Sequence, residues 1–232
     1  MSVSNGPKGI SRSLVFSYDA ANFKCYPRSG TSANDMSGNG STATLQNSPG
    51  FSSAGNGAFT FDGTNQTIIA PENSILNTQT PTVEVWIKTN NTTQNGFFFE
   101  KGNVNTQYSL FQEGATVRWR QYIGGVVDMA VTTATYISTS SWAHIVGTYT
   151  SGTRCLYING NLVNSDAQTG TINTNTNGIS IGVYGGYNGS RAYYFNGSIS
   201  IVNVYNRNLT ASEVASNYRS LKSRFGLSLI HI

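Results

Sequence analysis

Apolar and polar residues alternate with period two along most of this chain. Short clusters of Gly, Asn, Asp and Ser repeatedly interrupt the alternation. In Thr82-Val83-Glu84-Val85-Trp86-Ile87-Lys88, one face carries Val83, Val85 and Ile87 and the other Glu84, Trp86 and Lys88. That is the signature of a strand, not a helix. The stretch Trp142 to Val163 shows the pattern most fully. Ile145, Gly147 and Tyr149 alternate with Val146 and Thr148, and a polar loop follows at Thr150-Ser151-Gly152-Thr153. Cys155, Tyr157 and Ile158 then continue in extended style up to Asn159-Gly160, the dipeptide best suited to a type I′ turn. Three strands therefore meander within about 25 residues.

The same reading predicts strands over 14–18, 42–46, 58–61, 66–70, 96–101, 108–111, 117–122, 126–131, 179–182 and 195–205. One helix is predicted, over roughly 211–223. It opens on the capping box Thr210-Ala211-Ser212-Glu213, with Leu209 and Val214 placed as a hydrophobic staple. Antiparallel strands with short turns pack as two sheets, so the expected fold is an all-β sandwich closed by one short C-terminal helix. The expected boundaries are an arm at 1–13, one domain at 14–224 and a tail at 225–232.

Composition sharpens this picture. Only 10% of the 232 residues are charged, while 12% are aromatic and spread along the whole length. Amides and hydroxyls supply the polar surface, and the aromatic residues argue against disorder. The net charge of +4 arises from few acids and not from many bases. Arg118 and Arg120 form one small basic group, and Arg219, Lys222 and Arg224 another. Neither is the dense patch of a nucleic-acid reader, so no nucleic-acid partner is expected. Cys25 and Cys155 are too few for a disulfide framework and read as two buried free thiols, a single bridge being the alternative. The opening MSVSNGPKGISRSL lacks the apolar core of a signal peptide, and no run approaches the roughly 20 apolar residues of a membrane span. Synthesis in a cytoplasm and no membrane partner are the expectations.

Several signatures then occur in a familiar order: SYDAAN at 17–22, DMSGNG at 35–40, AFTFDG at 58–63, TVEVWI at 82–87, WAHIVGTY at 142–149, LYING at 156–160, and FNGSI at 195–199 with YNRNLTASE at 205–213. Together they resemble the concanavalin A-like lectin/glucanase superfamily in its laminin-G-like branch. The resemblance covers about residues 14–224 and implies an antiparallel jelly-roll β-sandwich of two curved sheets. The Tyr-Asp-Ala-Ala-Asn opening and the ending KSRFG at 222–226 also resemble free-standing virion proteins of tailed, marine phages.

Catalytic chemistry finds little support. Glucanases of the superfamily carry Glu-x-Asp-x-x-Glu on one strand, because one carboxyl protonates the leaving oxygen while another attacks or activates water. Here no two of the ten acids lie within four residues of each other. His144 and His231 form no local cluster, and His144, beside Trp142, reads as structural. Relatives hold Ca²⁺ through Gly-x-Ile-Asp in the last strand; this chain places Ser200 there, so no metal and no cofactor is expected. Aromatic faces and planar polar side chains hold sugars. Arg118, Arg120 and Tyr122 share one strand face, and Tyr184, Tyr187, Arg191 and Tyr193 lie in a glycine-rich loop. These seven are the candidate ligand-binding residues. The expected function is a non-enzymatic virion protein, as capsid decoration, fibre or appendage component. Its expected partners are other virion proteins, a second copy of itself and host-surface glycans. A stand-alone lectin module and a glycoside hydrolase using Glu84 or Glu100 are the alternatives.

Overall fold

The structure, a computed structural model, describes residues 9–103, 107–131, 136–187 and 189–227. Residues 1–8 of the expected arm and 228–232 of the expected tail lie outside them. Among the described residues sixteen strands follow one another in chain order. They are β1 (Leu14–Asp19), β2 (Ser32–Ala33), β3 (Ala43–Gln46), β4 (Gly50–Ser52), β5 (Ala58–Asp62), β6 (Thr67–Ala70), β7 (Thr82–Thr89) and β8 (Asn95–Lys101). There follow β9 (Tyr108–Glu113), β10 (Thr116–Ile123), β11 (Val126–Val131), β12 (Ala143–Thr150), β13 (Thr153–Ile158), β14 (Asn161–Asp166), β15 (Ile179–Ile181) and β16 (Asn196–Tyr205). One helix, α1 (Ala211–Leu221), runs into a 3-10 turn at Lys222–Phe225.

The strands form two antiparallel sheets. The first has the order β14-β13-β12-β7-β16-β5-β4, with β1 also on β16. The second has the order β11-β10-β9-β8-β15-β6-β3-β2. Strands distant in sequence thus become neighbours, as in a jelly roll. Asn159 and Gly160 have φ of 51° and 79°, and Gly124 and Gly125 have 58° and 85°. Positive φ at both central residues is the type I′ requirement, and it fixes the β13–β14 and β10–β11 hairpins. The short β2 and β4 were not visible as patterns, because two or three residues show no period.

The main core lies between the sheets. Val83, Val85 and Ile87 meet Leu110, Val117 and Trp119 there, together with Phe98 and Phe99. Trp119 lies so close over Gly147 that a Cβ there would come within 2.3 Å of the indole. Its Nε1 donates to Thr148 O at 3.0 Å, pinning one sheet to the other.

Helix α1 covers the outer face of the first sheet. The capping box forms as its sequence requires: Thr210 caps the Glu213 amide and Glu213 returns to Thr210 N. Trp86 and Trp142 are buried under this helix and its 3-10 turn and not between the sheets. Phe225, placed by its sequence position in the tail, stacks on Trp86 with centroids 4.1 Å apart. The packed body therefore reaches Phe225. Residue Ile10 of the expected arm is tied down as well, its amide donating to Asn217 Oδ1 at 2.7 Å.

Beneath α1 lies a sealed polar cluster. Glu84 Oε1 is 2.7 Å from His144 Nε2, and its Oε2 accepts from Asn203, Tyr205 and Asn217 at 3.0–3.2 Å. Burial opposes the charge on Glu84, but the hydrogen bonds and the His144 interaction outweigh it and hold the carboxyl below its usual range. His144 is thus a buried structural partner of Glu84. Cys25 is buried and Cys155 half-buried, and both are free thiols.

Candidate functional site

Among the described residues, no helix covers the outer face of the second sheet. Instead the segment after β15 folds back over it. Tyr184 and Ala192 exchange backbone hydrogen bonds at 3.0 and 3.2 Å, closing a loop between them. Glycines let this loop lie flat: a Cβ on Gly186 would come within 2.5 Å of Ser180 Oγ. Arg191 braces it from the side, donating from Nη2 to Gln46 Oε1 at 2.5 Å and from Nε to Gly186 O at 3.3 Å. From below, Glu100 Oε2 accepts the Gly185 amide at 2.6 Å.

Between this loop and the sheet opens a cavity of about 330 Å³, lined by Asn95, Phe97, Phe111, Glu113, Arg120, Tyr184 and Tyr193. That volume falls in the range of small-ligand sites. Phe97 and Phe111 are register partners on β8 and β9, and their rings stack in parallel at 4.4 Å. The Arg120 guanidinium sits 5.1 Å from each of these rings and 5.3 Å from Tyr184. Tyr193 forms the rim, 52% exposed, 6.0 Å from Tyr184 and 6.4 Å from Phe97. Its φ is 51°, a left-handed conformation that costs a non-glycine residue about 1–2 kcal/mol. The Phe97 amide, donating to Tyr193 O at 3.3 Å, helps hold it there. An aromatic ring is thus kept fixed at an open edge against its own backbone preference.

The floor of the site is polar. Arg120 Nε donates to Ser109 Oγ at 3.0 Å. Its Nη2 lies 3.6 Å from Glu100 Oε1, and both atoms are buried without a hydrogen bond. Burial pushes the Glu100 carboxyl up to about 8, against the Gly185 amide and Arg120, which pull it down. The result is a buried acid whose carboxyl is pushed up by burial, beneath a buried guanidinium.

Of the seven candidate residues, Arg120, Tyr184 and Tyr193 line the cavity. Arg118 stands beside it and pairs with Glu113 at the rim. Arg191 braces the loop, and Tyr187 packs against Gly178, so close that a Cβ there would meet its ring at 2.8 Å. Tyr122, farther along β10, lies outside the cavity lining. Asn95, Phe97, Phe111 and Glu113 were not singled out from the sequence, although a signal existed. With Tyr108 and Leu110 inward, alternation turns Phe111 and Glu113 outward. The β8 bulge turns both Phe98 and Phe99 inward, which leaves Phe97 outside.

Glu84 faces α1 on the first sheet and Glu100 faces the loop on the second, so they lie on opposite outer faces and do not converge. Ser200, the position at which the family resemblance implies a Ca²⁺ ligand, donates from Oγ to Gly57 O at 2.5 Å. The Arg224 guanidinium donates to Ser200 Oγ at 2.7 Å and to both Asp19 oxygens at 2.8 Å. A fixed cation already fills the group of oxygens, so these residues do not fit a hard metal ion, which needs several free oxygen ligands. No cluster of three metal-ligating acids, histidines or cysteines occurs among the described residues. No helix of the described residues is long and apolar enough to cross a membrane.

No curated protein sequence matches the chain. Solved structures do. The binding domain of Paraclostridial Mosquitocidal Protein 1 superposes with a TM-score of 0.70 at 20% identity, covering 90% of this chain and 52% of that one. The binding domain of botulinum neurotoxin DC, solved with rat synaptotagmin II, gives 0.71 at 14%, covering 92% and 52%. The structure linking cell entry of botulinum neurotoxin type C to two ganglioside molecules gives 0.70 at 14%, covering 91% and 52%. This chain thus spans about half the length of these neighbours, and at such identities the likeness is one of fold. A family model described as the concanavalin A-like lectin/glucanases superfamily matches residues 62–215, more than half of the chain. With this match and its two-sheet jelly roll, the chain belongs to the concanavalin A-like lectin/glucanases superfamily.

Proposed function

We propose that this protein is a non-enzymatic, saccharide-binding module that meets its ligand in the cavity between β8–β10 and the 184–193 loop. The observation that carries this reading is Tyr193, an exposed ring held at positive φ beside stacked aromatics and a buried arginine. Sugar rings present C–H faces to aromatic rings and hydroxyls to planar polar groups, and Asn95 and Glu113 supply such groups at the same opening. Structural neighbours described as binding domains, one of them with gangliosides, support a binding role over a catalytic one. So does the separation of Glu84 from Glu100, since glycoside hydrolysis needs two carboxyls flanking one bond. A glycan array tests the reading. Wild-type protein is expected to retain a defined set of saccharides and Tyr193→Ala to lose them; an empty array, or a pattern unchanged by Tyr193→Ala, would contradict it.

The particle setting is part of the same proposal. The resemblance to tailed-phage virion proteins supports a place on the particle surface as decoration, fibre or appendage component. The two stretches behind that resemblance meet in space, since Asp19 of the opening pairs with Arg224 of the ending. Mass spectrometry of purified particles should find the chain in stoichiometric amount. Particles that lack it would remove the virion role and leave the stand-alone lectin.

A further inference from the structure

Two charged side chains line the cavity, Arg120 and Glu113. They are not equivalent. Glu113 is at the rim, with 45% of its side chain exposed, and is ion-paired to Arg118. Arg120 is deep, with 13% exposed, and is surrounded by three aromatic faces that attract a cation but carry no formal charge. Glu100, behind it, is the group that could cancel its charge. The 3.6 Å contact involves no hydrogen bond, and with the carboxyl pushed up to about 8 Glu100 is mostly protonated around neutrality. The Gly185 and Gly186 amides of the loop hydrogen-bond Glu100, and Ser109 and Ser180 are its register partners on β9 and β15; none of these brings a negative charge. The cavity therefore presents a desolvated, uncancelled cation between aromatic walls.

Resting on the saccharide reading above, we propose that the cavity selects acidic saccharides, with a sugar carboxylate meeting Arg120 while the ring stacks on Tyr193 and Tyr184. The planar guanidinium suits a carboxylate better than any neutral hydroxyl, because each bond gains charge assistance in a site shielded from water. A neutral sugar in the same place would leave the cation desolvated and unpaired, which is the costly arrangement. Glu100 then sets the pH range. When it ionises it competes with the ligand for Arg120 and repels it, so preference for acids fades as pH rises through the alkaline side of neutral.

The test uses wild-type protein on an array of matched pairs. Oligogalacturonates and sialyl-oligosaccharides each stand beside the same molecule with its carboxyl groups methyl-esterified. Retention of one acidic series, with at least about tenfold weaker binding of its ester near pH 6.5, is expected from one charge-assisted contact. The responding series tells which acid is read. The advantage should shrink to about threefold or less near pH 9.5, where Glu100 is ionised. Equal binding of acid and ester would overturn the selectivity and leave the saccharide site standing. Binding of neither would overturn both. Arg120→Gln should bring acid and ester to equal affinity; an acid preference that survives this change would overturn the role of Arg120. The acid–ester comparison on wild type decides the selectivity even if that variant folds poorly.

Discussion

Each outer face of the sandwich buries one glutamate, and the two faces treat it in opposite ways. Glu84 and Glu100 are 1% and 0% exposed, so burial is equal. Under α1, Glu84 is met by His144, Asn203, Tyr205 and Asn217, and its carboxyl is held below the usual range. Under the 184–193 loop, Glu100 has the Gly185 and Gly186 amides and Arg120 at 3.6 Å without a hydrogen bond, and its carboxyl is pushed up. What differs is not depth but the number of donors each carboxylate receives. The first face uses its aromatics for sealing: Trp86 stacks with Phe225 and with Tyr218. The second leaves Tyr193 in the open. One face is closed and its carboxylate is satisfied, although Trp86 Nε1 and His144 Nδ1 are buried there without a hydrogen-bond partner. The other is open and partly unsatisfied, as a binding site requires.

The largest effect is expected on the closed face. Glu84→Ala strands the His144, Asn217 and Tyr205 groups beneath α1 and should cost about 3–5 kcal/mol in urea unfolding. A cost below about 1 kcal/mol would mean the cluster is not the sealed network described. Next comes Phe225→Ala, which uncovers Trp86. A loss of about 3 kcal/mol and a red-shifted tryptophan emission are expected; unchanged emission would show that the 3-10 turn does not shield that indole.

The pH dependence separates the two glutamates. The depressed Glu84 contributes stability that is fully present above its unfolded value near 4.5 and disappears as pH falls through its folded value. Glu100 works the other way. Between about 4.5 and 8 the unfolded chain has released this proton while the folded protein keeps it, so stability falls as pH rises, by up to about 1.4 kcal/mol per pH unit from this group. Glu100→Gln should remove that decline, measured as unfolding free energy at several pH values. An unchanged slope would show that Glu100 is ionised throughout. The smallest stability effect belongs to Tyr193→Ala, within about 0.5 kcal/mol of wild type, since its ring is exposed and its strained backbone is relieved little by alanine. Its effect should fall on binding alone.

The closed face was more legible in the sequence than the open one. The capping box at Thr210, the alternation of Val83, Val85 and Ile87 and the turn at Asn159-Gly160 are local signals, and local physics forms them. Phe225 gave none, because only its long-range stacking on Trp86 distinguishes it from a tail residue. On the open face, Arg120, Tyr184 and Tyr193 could be named from strand parity and loop composition. Phe97 could not be placed, because three successive phenylalanines hide which of them a bulge turns outward. Glu100 was legible as an acid but not as a buried one beneath Arg120, since that juxtaposition depends on the register of β8, β9 and β10. Ser200 marked the departure from a metal site, whereas the arginine that fills it lies 24 residues away in sequence.

The contrast between the faces is tested most directly by mapping a bound acidic oligosaccharide onto amide and side-chain NMR signals of the wild-type protein. Saturable shifts are predicted at Asn95, Phe97, Gly185, Tyr193 and the Arg120 Nε–H, with the Trp86 indole and the Asn217 side chain unmoved. Shifts centred on Trp86, Tyr218 and Phe225, with the Arg120 region silent, would contradict the account.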